Sequence, residues 1–174
     1  VIIGAADHVE IWAEERWGLY GDGRVVVDDA TRALLMGEIL ASAPQDLRHP
    51  LDDGAGTCDF LADVAKTSLA WMPFSSAGAV DEEALETLRL QGAEVSVVRM
   101  LSLYASRLAA IARVEPCCME LSLPPLMDEG GCPRDGVVMA GFSSMDPALR
   151  AMAARLASVR ELTVIMRMGD GPAF

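Results

Sequence analysis

From residue 28 onward the apolar positions of the chain switch repeatedly between the three-to-four-residue spacing of a helix and the runs of a strand. Asp28 or Asp29 can cap a helix through ATRALLMGEILASA, with Ala33, Leu34, Met36, Ile39 and Leu40 on its apolar face and Pro44 stopping it. A short extended piece near Leu47–Asp52 then leads through a glycine turn into a helix over Asp59–Lys66, and SLAWMPFSS is apolar and extended. Asp81 caps DEEALETLRLQG, whose first turn is acidic and whose end is marked by Gly92. AEVSVVRM is valine-rich and predicts a strand, and LSLYASRLAAIAR predicts a helix carrying Leu101, Tyr104, Leu108 and Ile111. CCMELSLPP predicts a strand ended by two prolines, followed by the loop LMDEGGCPRDG. GVVMAGFSS predicts a strand, DPALRAMAARLASV a helix with Asp146 as cap and Pro147 at its first position, and ELTVIMRMG a last strand.

Strands alternating with helices define an α/β layered domain with a largely parallel sheet. The expectation is one domain over residues 1–174, with 1–46 as an N-terminal helical or lid segment and 47–174 as the core. An irregular leucine-rich repeat is the competing pattern, suggested by LETLRLQG and VRELTVIMRMG. Its candidate strands, near residues 69, 94, 117, 137 and 161, follow no fixed period and have no asparagine ladder.

Composition narrows the function classes. The chain is 52% hydrophobic, with a mean hydropathy of +0.28, yet every apolar run is broken by charge before the roughly 20 residues of a membrane span. The apolar excess therefore belongs to the core and to a subunit interface, with a protein partner or a homo-oligomer as expected company. Acidic residues outnumber basic ones by 26 to 14, a net charge of -12, which disfavours nonspecific nucleic-acid or anionic-membrane binding. The four cysteines (Cys58, Cys117, Cys118 and Cys132) form no C-x-x-C pair and stand far in sequence from His8 and His49, so reduced core thiols are expected in place of a metal site. Such thiols suit an intracellular, cytoplasmic protein, and no signal-peptide pattern opens the sequence.

One stretch has the form of a ligand site. In HPLDDGAGTCDF a glycine turn between an extended segment and a helix lets backbone N–H groups approach a polar ligand with no Cβ in the way. Leu51-Asp52-x-Gly54-x-Gly56-Thr57-x-Asp59-Phe60 resembles the first motif of class I S-adenosylmethionine-dependent methyltransferases, commonly LDxGxGxGxF/L. The resemblance covers roughly residues 10 to 99. It implies a Rossmann-like three-layer fold and S-adenosylmethionine as cofactor, bound at Asp52, Gly54, Ala55, Gly56 and Thr57 with Ser75 at the end of the second strand. The methyl acceptor and the catalytic residues are left unnamed. Cys58 stands where the family has its third glycine, Ser75 where it has an acid that grips the ribose, and Pro50 in the strand before the turn. Two readings therefore stay open: a methyltransferase-like protein, its catalysis impaired, and a non-catalytic structural or partner-binding subunit.

Elsewhere, Trp12, Trp17 and Tyr20 are a helix face packed on the core or a lid over a ligand, and Asp7, His8, Glu10, Glu14, Glu15 and His49 are the other acid–base groups. Met100, Met119, Met139, Met166 and Met168 are expected as core filler. VIIGAADHVEIWAEERWGLY also resembles the closing segment of the MraZ family of bacterial transcription regulators, over twenty residues only.

Overall fold

A computed structural model describes residues 2–3, 6–48, 51, 55–74, 79–127, 136–142, 145 and 147–166, with side chains from residue 11 on except 55, 124–127 and 147–148. The elements in chain order are β1 (Ile2–Ile3), α1 (Ala6–Tyr20), β2 (Val25–Val26), α2 (Asp29–Ser42), α3 (Gln45–Arg48), α4 (Ala55–Ser68), a 3-10 turn (Leu69–Trp71), α5 (Glu82–Leu88), α6 (Ala93–Ala110), β3 (Arg113–Val114), α7 (Pro116–Met127), β4 (Val137–Phe142), α8 (Pro147–Val159) and β5 (Leu162–Met166). The chain is mixed α/β, mostly helical, with a three-stranded parallel sheet in the order β1-β4-β5 and a two-stranded parallel pair, β2-β3. Its residues form two compact units: Val25–Cys117, and Val1–Arg24 together with Cys118–Phe174.

In the unit of residues 25–117, α2 begins where the sequence predicts, because the Asp28 carboxylate accepts the Thr31 N–H at 2.8 Å. Its buried face is Arg32, Met36, Ile39 and Leu40, whereas Ala33 and Leu34 point outward, Leu34 being 63% exposed. Pro44 ends α2 and starts α3, its carbonyl accepting the N–H groups of Leu47 and Arg48 at 3.1 and 3.2 Å. Leu47 and Arg48 are thus helical rather than extended. SLAWMPFSS forms no strand over its described residues: Leu69–Trp71 is the 3-10 turn, and Phe74 makes a single antiparallel bridge to Val80.

Asp81 caps α5 as predicted, accepting the Ala84 N–H at 2.9 Å. The helix ends earlier than Gly92, on Arg89 in the left-handed region (φ 55°), and Gly92 precedes the next helix. The largest correction is α6, which absorbs the predicted strand AEVSVVRM. Val98, Leu101, Tyr104 and Leu108 share one buried stripe, so the helical spacing of LSLYAS reaches back into the valines. Packing of that stripe against α2 and α4 outweighs the strand preference of three β-branched residues. CCMELSLPP is likewise helical: α7 opens on Pro116, buries Cys117, Met119 and Leu123, and stays helical through Pro124 and Pro125. Alternation over so short a run cannot be told from one helical face.

In the unit of residues 1–24 and 118–174, β4 and β5 form where predicted and are joined by α8. Val137, Met139 and Phe142 of β4 bury against Leu149, Met152 and Leu156 of α8, with Trp12 of α1 and Leu162 packed beside them. The β4–β5 register shifts between Ala140 and Phe142, where Gly141 takes a φ of 88° that a side chain would strain. Met139 is buried core as expected, as are Met100 and Met119, but Met166 is 43% exposed.

Candidate functional site

The residues proposed to hold a cofactor are only partly within the described structure. Asp52, Gly54 and Ser75 lie outside the described residues, as do Pro50 and His49. Ala55, Gly56 and Thr57 form the first turn of α4, two to four residues ahead of the predicted helix start. A Cβ added at Gly56 would meet nothing within 4 Å, so that turn is open on its Gly56 side. The Cys58 sulfur lies 3.8 Å from the Ala33 carbonyl on α2, and burial, with the charge of Asp59, pushes its thiol pKa up. The segment before the turn, where the motif calls for a strand, is α3 as far as Arg48. The fit to S-adenosylmethionine is therefore incomplete: the open turn suits it, the preceding helix does not, and no transfer step follows from this geometry.

Among the described residues the densest buried polar chemistry lies elsewhere, at positions that the sequence pattern does not single out. Arg32, on the inner face of α2, donates from Nε and Nη2 to the Glu115 carboxylate, each at 2.9 Å, while the Tyr104 hydroxyl of α6 donates to the same carboxylate. Arg32 is 3% exposed, and Tyr104 and Glu115 are both 0% exposed. Arg32 also donates to the Val27 carbonyl and pairs with Asp29, which Lys66 approaches at 3.5 Å. Burial alone would lower the arginine pKa, but hydrogen bonds and charge from Glu115 raise it overall. Burial, then the bond to Glu115, raises that of Tyr104 above its usual 10.0. The sequence held one signal: Arg32 sits four residues before Met36 on the apolar face of α2, where an unpaired charge would be costly.

This cluster is closed. Its buried members, Arg32, Tyr104 and Glu115, bond one another, so it anchors α2, α6 and the chain around β3. A pH signature follows. An unfolded tyrosine ionises near pH 10, while Tyr104 stays neutral to a higher pH, so its contribution is complete below about pH 10 and fades as the pH rises further. Urea denaturation between about pH 9 and 11.5 is expected to show stability falling faster in the natural protein than in Tyr104→Phe. Equal slopes would place the tyrosine outside the network.

Of the aromatic residues of α1, Trp17 is buried, Trp12 packs partly buried against the β4–α8 core, and Tyr20 is half-buried. Trp17 is 4% exposed, its indole N–H donates to the Arg24 carbonyl at 2.6 Å, and the Arg24 guanidinium lies 5.8 Å from its ring centre. Gly21 is needed beside it, since an added Cβ would stand 2.5 Å from the Trp17 carbonyl oxygen. Glu14 and Glu15 are exposed, and the side chains of Asp7, His8 and Glu10 are outside the described set. Cys117 is buried with its sulfur 3.7 Å from the Ala65 carbonyl, and Cys132 and Met168 lie outside the described residues. Among the described residues no helix is long and apolar enough to cross a membrane.

A second feature stands out in the other unit. β5 lies at the edge of the β1-β4-β5 sheet, and beyond Leu162 all its side chains are exposed, among them Val164 (39%), Ile165 (54%) and Met166 (43%). A strand covered on one face would show alternate burial. β5 shows none, and its LTVIM sequence carries no charge or proline to blunt the edge.

Comparison with known proteins finds no family model that matches the sequence, and no curated protein or solved structure that matches the chain.

Proposed function

We propose that this chain is a non-catalytic interaction subunit that associates through the outer edge of β5. The observation that carries this reading is the uncharged run Val164-Ile165-Met166, exposed on both faces at a sheet edge. An incoming strand satisfies the row of backbone groups and covers the side chains above and below it, so one contact supplies both direction and apolar burial. The occupant we assign is β5 of a second copy. A two-fold pairing sets the same neutral strand against itself, which lets a chain of net charge -12 approach its like without opposing charges at the seam.

Sedimentation or light scattering tests it. A dimer is expected at roughly 100 micromolar chain, a concentration that populates even modest interfaces, and Ile165→Lys and Val164→Lys are each expected to give monomer with an unchanged far-ultraviolet spectrum. A natural protein that is monomeric there, or lysine variants that stay dimeric, would overturn the reading.

The second reading is the methyltransferase-like one, favoured by the open space at Gly56 and by the placement of the Cys58 sulfur against α2. It places S-adenosylmethionine at Asp52, Gly54, Ala55, Gly56 and Thr57, with Ser75 nearby, and brings a three-layer Rossmann-like arrangement with it. A ligand at a hundredfold excess over its dissociation constant stabilises by about 2.7 kcal/mol. Melting with S-adenosylmethionine or S-adenosylhomocysteine is then expected to rise several degrees, and Gly56→Leu to abolish the rise. No shift at millimolar ligand would end this reading.

A further inference from the structure

In the unit of residues 25–117 a groove of about 530 Å³ runs along α5. One wall is Trp71 and Pro73; the other is the face of α5 that carries Glu83 and Leu88, with Asp81 at its head. The walls are tied together, since the Asp81 N–H donates to the Pro73 carbonyl at 2.8 Å and Phe74 bridges Val80. The groove is thus shaped before any ligand arrives, and little ordering entropy is left for binding to cost. Two large apolar side chains are open to solvent along it, Trp71 at 42% and Leu88 at 57% exposed.

The charge of the groove is one-sided. Asp81 and Glu83 line it, and among the described residues no lysine, arginine or histidine does. Arg89, the exposed residue that ends α5, follows Leu88 at the far end of the groove, and Arg99 is held by Glu82 at 3.1 and 3.2 Å. Asp81 gives one oxygen to the Ala84 N–H, and a carboxylate has a second. An indole beside two carboxylates suits a cation on an apolar stem, through ring attraction to the charge and contact with the methylenes.

We propose that this groove binds a basic, apolar peptide segment of a partner protein, with an arginine or lysine side chain held between Trp71 and the carboxylates of Asp81 and Glu83. The site shares no residue with β5, and the two proposals stand or fall separately. The test is a nitrogen-15 NMR titration of the full chain with an acetylated, amidated tripeptide of arginine between two leucines. The control peptide carries glutamate at the centre. The basic peptide is expected to shift the Trp71 indole signal and the amides of α5, and the acidic one to leave them in place. Glu83→Lys is expected to weaken binding roughly tenfold and Trp71→Ala roughly fivefold. Glu83→Gln, which is gentler on the helix start, should give a smaller loss in the same direction. Ile165→Lys, which removes the β5 contact, should bind as the natural chain does. Equal response to both peptides, no response at millimolar peptide, or indifference to Glu83→Lys would overturn the proposal. So would a match between tetramethylammonium chloride and the peptide, because the groove would then be a small-cation site.

Discussion

Glu115→Leu is expected to cost about 3–5 kcal/mol of unfolding free energy, the range for stranding one member of a buried ion pair. The carboxylate accepts from the Arg32 guanidinium and the Tyr104 hydroxyl, with all three residues nearly or fully buried. Removing it leaves a charged group and a hydroxyl without partners in an apolar surround. The triple variant Arg32→Met, Glu115→Leu, Tyr104→Phe is expected to recover most of the loss, since a buried pair barely offsets the cost of drying its charges and apolar replacements of similar size often match it. Urea denaturation of the single and triple variants measures both. If the single losses simply add in the triple variant, the three residues do not act as one network.

Leu156→Ala is expected to cost about 2–5 kcal/mol, the range for truncating a leucine at a packed site. Leu156 is 0% exposed on α8, where it meets the inward side chains of β4 in the cluster with Met139 and Met152. Denaturation followed by hydrogen exchange should show the amides of β4 and α8 losing protection together. A loss below about 1 kcal/mol would mean that the site collapses easily around the gap.

Elements whose ends carry chemical punctuation were legible in the sequence. Asp28 and Asp81 cap the helices they were expected to cap, Pro147 opens α8, and Val137 and Leu162 begin strands. Reading failed where β-branched or alternating residues stood in for period. Val95, Val97 and Val98 favoured a strand, but the stripe from Val98 to Leu108 buries only as a helix. Cys117, Met119 and Leu123 form a helical face within a run that also alternates. Pro44 stops α2 and also starts α3, a double use that no local signal marks. Of the residues expected to hold a cofactor, Ala55, Gly56 and Thr57 lie in the first turn of α4, where the glycines predict a turn and a helix only from Asp59. The cluster at Glu115 was invisible because its members lie 11 and 83 residues apart from it in sequence. The exposure of β5 was invisible because an apolar strand at an edge and one in a centre have the same composition.

The interleaving of the two units has a consequence for synthesis on the ribosome. Val25–Cys117 is continuous, and its closing pair, Val25 with Arg113, can form as soon as β3 has emerged. The unit that brackets it must wait longer, because Ile2 pairs with Val138 and β4 in turn needs β5. The middle of the chain can therefore be native while the first helix still lacks its sheet, leaving Trp12 without its packing partners until translation has passed Met166. A stalled or truncated nascent chain would expose that helix to chaperones.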